Sequence, residues 1–149
     1  MPKKTDLENV KEEDKPKEEN HTTKEQFELF KSECKKWIKE LGLIGWDVSF
    51  KHDGEKNDRG WLGWCSTNCV GRSATIGLCK DWKGVEIDDY QVKRTAFHEV
   101  CELLMSRFDT IARTRIIGPD EIDEERHNII RIMENMIWDK EQTNERQIK

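Results

Sequence analysis

The stretch "RTAFHEVCELLMSRF", Arg94 to Phe108, sets Ala96, Phe97, Val100, Cys101, Leu103 and Leu104 at helical spacing around His98, Glu99 and Glu102. A helix this apolar is predicted to be largely buried, and the chain on either side must supply its cover. Upstream, "KDWKGVEID" reads as a loop, and Asp88 or Asp89 can cap a long helix running from about Asp88 to Phe108. Before that loop lie three strand-like runs. "WDVSFKH" alternates Trp46, Val48 and Phe50 with Asp47, Ser49 and Lys51, while "GWLGWCS" and "RSATIGLC" are joined by a short polar link through Asn68 and Gly71. The turn-rich "DGEKNDRG" separates the first run from the second. Further upstream, Phe27, Phe30, Cys34, Trp37, Ile38 and Leu41 mark an amphipathic helix that Gly42 can end. Downstream, "RTRIIGPD" breaks the central helix. Pro119 and the acidic residues after it open a last one carrying Ile122, Ile129, Ile130, Met133, Met136 and Ile137. The order helix, three strands, helix, helix predicts an α+β domain with an antiparallel or mixed sheet.

That domain spans about residues 24–139 of the 149. Residues 1–23, "MPKKTDLENVKEEDKPKEENHTT", are charged and almost without apolar side chains, and are expected to form a disordered, solvated tail; a frayed polar end is expected over 140–149. The tail mixes both signs of charge and has no apolar core of a signal peptide. No run is long and apolar enough for a membrane span. The net charge of -5 argues against nonspecific nucleic-acid binding. The five cysteines, with no secretion signal, point to free thiols in the reducing cytoplasm. Cys65, Cys69 and Cys79 do not have the spacing of a zinc ribbon, and ordinary buried thiols are the simpler reading. Of the tryptophans, Trp37 and Trp46 take core-like positions. Trp61 and Trp64 fall on opposite faces of one strand, so one of the two is expected in solvent.

His98-Glu99-Val100-Cys101-Glu102 departs from the zinc-protease signature His-Glu-x-x-His only at its last residue. Residues four apart share a helix face, so His98 and Glu102 can point at one ion while Glu99 reaches a water beside it as general base. A carboxylate is a legitimate zinc ligand. It lowers the ion's Lewis acidity and makes the site more tolerant of a harder ion such as manganese. A third ligand is expected from the last helix. Glu125 falls in its apolar stripe, where a carboxylate needs a partner: a metal ion, or an arginine such as Arg126. Glu124 and His127 are the alternative ligands if the helical phase is shifted, and His127 could instead donate to a reacting oxyanion. Against all this stands the bland alternative of a structural histidine between solvated glutamates.

"FKSECKKWIKELGLIGWDVSF", "ATIGLCKDW", "RTAFHEVCELL" and "EERHNIIRIMEN" together resemble the small zincin-like metallopeptidases of phages and related mobile elements, minimal relatives of the SprT-like proteins. The resemblance covers about residues 24–138 and departs from the family's His-Glu-Val-x-His-Leu-Leu at Glu102. It implies a minimal zincin-like fold: an N-terminal helix, a three-stranded sheet, an active-site helix and a C-terminal helix. It implies a zinc cofactor held by His98 and by Glu125 or a neighbour, with Glu99 as base. The substrate would be a peptide or protein added as a strand to the sheet edge, along "SATIGL" or the strand beside it. The expected activity is a metal-dependent hydrolase of peptide type. The rival expectation is an inactive descendant of the fold that binds a host or phage partner.

Overall fold

The computed structural model of the chain describes residues 20–53, 60–114 and 116–138. The expected end segment 140–149 and most of the expected tail lie outside them. Among the described residues the fold is α+β, in the order α1 (Lys24–Glu40), β1 (Asp47–Asp53), β2 (Gly63–Asn68), β3 (Ser73–Cys79), α2 (Asp89–Arg113) and α3 (Pro119–Met133), followed by a π-helical turn at Glu134–Trp138.

α1 begins in a capping box. The Gln26 N–H donates to Thr23 Oγ1 at 3.2 Å, and the Thr23 N–H donates to Gln26 Oε1 at 2.8 Å. It ends as the sequence predicts, with Gly42 in the left-handed region at φ +68°. Its buried residues, Phe30 and Cys34, face α2, and the Cys34 thiol approaches the Ala96 carbonyl at 3.8 Å.

The sheet is mixed, with spatial order β1-β3-β2: β1 runs parallel to β3, and β2 antiparallel to it. β3, which contains "SATIGL", is therefore central and has no free edge. Among the described residues its two neighbours, β1 and β2, are the edge strands, so an added substrate strand would lie on a neighbour of "SATIGL" and not on it. Residues directly opposite in neighbouring strands share a face. Val48, Phe50, Ala74, Ile76 and Leu78 make the inner face, and Gly63 and Cys65 lie on that side because they pair with Leu78 and Ile76. The outer face is polar, with Ser49 and Thr75 hydroxyls 3.0 Å apart. On this face Trp64 packs over Gly77 so closely that a Cβ there would lie 2.1 Å from the indole.

The core joins Phe30 and Cys34 of α1, Ile76 and Leu78 of β3, and Val92, Ala96, Val100 and Leu103 of α2. Trp82 is buried among them although it comes from the loop before α2, where the Nε1–H donates to the Cys79 carbonyl at 3.0 Å. The expected tail also gives up its last residues to the domain. Asn20 accepts from the Trp82 N–H, His21 bridges to Asp81, and Thr22 is buried with its N–H on the Lys80 carbonyl at 2.8 Å. α2 runs five residues past its expected end, to Arg113. No helix among the described residues is long and apolar enough to cross a membrane.

Candidate functional site

β2 and α2 run side by side in the same direction. Gly63 lies against Thr95 and Glu99, and farther along both elements the Cys69 thiol meets Ser106 and Thr110. Between the free side of β2 and the exposed flank of α2 is a cleft of about 580 Å³. Gly63 and Cys65 of the strand and Arg94, His98, Glu99 and Glu102 of the helix line it, with Trp61 at its mouth. Trp61 is the exposed member of the tryptophan pair, as expected.

The three polar residues of the quoted helix meet here in different states. His98 and Glu102 stand one turn apart on the solvent side, with Nε2 3.4 Å from Oε1. Two donors at ordinary zinc distances, subtending a tetrahedral angle, lie about 3.4 Å apart. The helix thus sets an imidazole and a carboxylate at the separation a divalent ion needs, and both side chains are more than half exposed. Glu99 is turned inward by its phase on the helix and is only 3% exposed. Its Oε2 is buried and has no hydrogen-bond partner. Burial, and then the charge of Glu102, push its carboxyl from the ordinary 4.5 up to about 8. It fits under the strand because residue 63 is glycine: a Cβ there would lie 2.8 Å from Glu99 Oε1 and 2.9 Å from Thr95 Cγ2. The only sign of this in the sequence is a glycine interrupting a strand pattern.

The strand adds backbone groups. The Cys79 N–H donates to the Leu62 carbonyl, which makes Leu62 and Cys79 a hydrogen-bonded pair of the antiparallel ladder. By alternation, Gly63, Cys65 and Thr67 turn their N–H and C=O groups outward, to the open side. Cys65 shares the cleft with the two glutamates. Burial first, then the charges of Glu99 and Glu102, push its thiol up to about 12, so by itself it is no thiolate nucleophile beside His98.

Glu125 does not join these residues. It is buried as its helical phase predicts, but its Oε2 lies 2.9 Å from Arg107 Nε and receives a long contact from Asn128 Nδ2 at 3.5 Å. Arg107 is nine residues beyond His98, which puts it about half a turn around α2 and roughly 13 Å along it. The pair lines a second cleft, with Trp46, Arg72, Leu103 and Ile132. The buried carboxylate therefore meets an arginine, Arg107 of α2. Arg126 turns outward and pairs with Asp123. The alternative ligands lie elsewhere again: Glu124 and His127 line a shallow depression with Asp120 and Asp123, and His127 Nδ1 sits 2.7 Å from the Asp123 carbonyl. Among the described residues, no three His, Cys, Asp or Glu side chains meet at one point as arranged.

Comparison with protein-family models, with curated proteins and with solved structures finds no match to this chain.

Proposed function

We propose that this chain is a metal-dependent hydrolase of peptide bonds, with Glu99 as general base and His98 and Glu102 as its helix-borne metal donors. The observation that carries the reading is the buried carboxylate of Glu99. It holds an unpartnered oxygen at the wall of a cleft whose rim sets an imidazole and a second carboxylate 3.4 Å apart. A buried carboxyl left without a partner costs stability, and such groups concentrate where a reaction needs them.

The chain's own residues divide the work. An extended substrate lies along β2 and takes hydrogen bonds from the outward backbone groups of Gly63, Cys65 and Thr67. Gly63 leaves room for the substrate backbone and for Glu99 together. With a pKa near the operating pH, Glu99 can take a proton from the attacking water and return it to the leaving amine. A bound divalent ion would supply Lewis acidity at the substrate carbonyl.

The second reading is a peptide-binding module without turnover. The commitment of Glu125 to Arg107 favours it, because it leaves His98 and Glu102 without the third donor expected from α3. One experiment separates the two. The full chain, purified without chelator and supplied with zinc, is assayed for cleavage of an unfolded protein and for binding of the same substrate. For the enzyme, Glu99→Gln lowers turnover by roughly 10²–10⁴-fold and leaves zinc and substrate bound. Wild-type protein that binds zinc and substrate but releases no new amino termini is the module.

A further inference from the structure

Since α3 keeps Glu125 for Arg107, the missing donor has to come from elsewhere, and the strand across the cleft offers one. We propose that Cys65, on β2, completes the metal set with His98 and Glu102, so that the ion is held between strand and helix. This inference rests on the hydrolase reading of the same cleft and names its third ligand.

Three observations carry it. Cys65 pairs with Ile76, a core residue, so its side chain projects to the side of the sheet that α2 covers. It lines the same cleft as His98, Glu99 and Glu102. Finally, the neighbourhood is a thiol and two carboxylates, and one of those carboxylates, Glu99, is 3% exposed with a buried oxygen that has no hydrogen-bond partner. The arginine lining this cleft, Arg94, is five residues before Glu99, about 140° away around the helix. Thiolate, imidazole and carboxylate are all zinc donors. His98 and Glu102 are exposed at 69% and 51% and can turn toward the strand. On binding, the Cys65 thiol gives up its proton to solvent and the sulfur takes the ion in its place. The set is one thiolate, one imidazole and one carboxylate. That is softer than the all-nitrogen-and-oxygen set expected from α3, and it selects zinc or cobalt over manganese.

Cobalt(II) is the probe, because a thiolate ligand gives it a sulfur-to-metal charge-transfer band in the near ultraviolet. The reduced full chain, titrated with cobalt in chelator-free buffer, is expected to develop that band at a single equivalent. Cys65→Ser should abolish the band and weaken binding by at least the roughly 10–100-fold that loss of an outer-shell partner costs. Glu125→Gln should leave band and affinity unchanged. Wild-type protein gives an independent readout that requires no variant to fold: bound cobalt should slow alkylation of Cys65, followed by peptide mass, and leave Cys69 unaffected. Three results would overturn the assignment while leaving the hydrolase reading in place: cobalt bound without the band, a band that survives in Cys65→Ser, or alkylation of Cys65 indifferent to bound cobalt. Failure to bind cobalt at all would sink both.

Discussion

Glu99 and Glu125 are the same side chain in nearly the same degree of burial, 3% and 6% exposed, and the fold treats them in opposite ways. Glu125 faces a guanidinium at 2.9 Å across the α2–α3 contact. Glu99 faces a glycine, and one of its oxygens has no partner. Burying a carboxylate beside an arginine is a structural solution, in which desolvation is offset by the pair. Burying one beside a glycine and an open cleft leaves the cost standing. The difference marks the β2–α2 cleft as the place where stability has been given up, and the second cleft as a docking contact for α3.

The largest expected contrast lies in pH dependence. The folded-state pKa of Glu99 is raised from 4.5 to about 8, so the unfolded chain loses this proton first. Below about 4.5 the group costs nothing. Between there and about 8 the folded state binds more protons than the unfolded one, and stability falls as pH rises, by up to about 1.4 kcal/mol per pH unit. Glu99→Gln removes the proton and with it this slope. In chelated, metal-free protein the stability of Glu99→Gln minus wild type should climb across that window and level off above it. Urea midpoints at several pH values measure the difference, and parallel curves for the two proteins would show that Glu99 does not carry the burial cost assigned to it.

Next comes the glycine that makes the arrangement possible. Gly63→Ala puts a methyl 2.8 Å from Glu99 Oε1 and 3.0 Å from the Gly77 carbonyl, which belongs to the central strand and cannot yield cheaply. Overpacking of this kind costs about 1–3 kcal/mol. Part of that cost is a clash with Glu99, so Gly63→Ala should be less damaging in a Glu99→Ala background. A double-mutant cycle reads this coupling directly, and strict additivity would mean that the strand and the carboxylate do not constrain one another.

At the other carboxylate the sign reverses. Arg107→Ala strips Glu125 of its partner and should lower stability by about 1–3 kcal/mol. The effect is held to that range because the Arg107 side chain is 58% exposed and its charge is screened. On the proposed function, turnover by the β2–α2 cleft should be unaffected. If Arg107→Ala instead left stability unchanged and altered metal binding, Glu125 would belong with His98 after all.

Much of this contrast is legible in the sequence, and the limits have physical causes. Helical phase announces that Glu125 is inside, because Ile129, Ile132 and Met136 share its stripe and all three are at least partly covered. Phase cannot say which neighbour an inward carboxylate meets. Arg126 is nearest in sequence, yet it points to solvent, and the partner is Arg107 on the preceding helix. Strand alternation places Val48, Phe50 and Ile76 on the core face, but the spatial order β1-β3-β2 depends on where the chain crosses, and local pattern does not encode that. Trp82 sits in a stretch with no period, so only its residue type, not its spacing, points to the core, where it is 1% exposed. The room that lets Glu99 lie under β2 comes from a glycine more than thirty residues away in sequence. His98, Glu99 and Glu102 were legible as a group because they lie within a turn and a half of one helix.

A neutral buried group, fully partnered, sets the low end of the scale. Thr22 is 6% exposed, and its hydroxyl has two partners: the Cys79 carbonyl at 3.0 Å and His52 Nε2 at 2.8 Å. A hydroxyl has one proton, so donation to the carbonyl leaves it accepting from the imidazole N–H. Composition alone assigns Thr22 to a solvated tail, because a polar residue among charged ones gives no sign of burial. The structure assigns it to the domain, and two deletions tell these apart. Removing residues 1–19 should leave the thermal midpoint almost unchanged, since that stretch has no apolar pattern to bury. Removing 1–23 should lower it, because the Trp82 N–H, the Lys80 carbonyl and His52 lose their partners and α1 loses its Thr23 cap. Thr22→Val isolates the hydroxyl at constant shape and should cost about 1 kcal/mol, or roughly 4 °C for a domain of this size. Equal midpoints for the two deletions would return Thr22 to the tail. A Thr22→Val cost as large as that of Arg107→Ala would mean that charge is not what separates Glu99 and Glu125 from other buried polar groups in this fold.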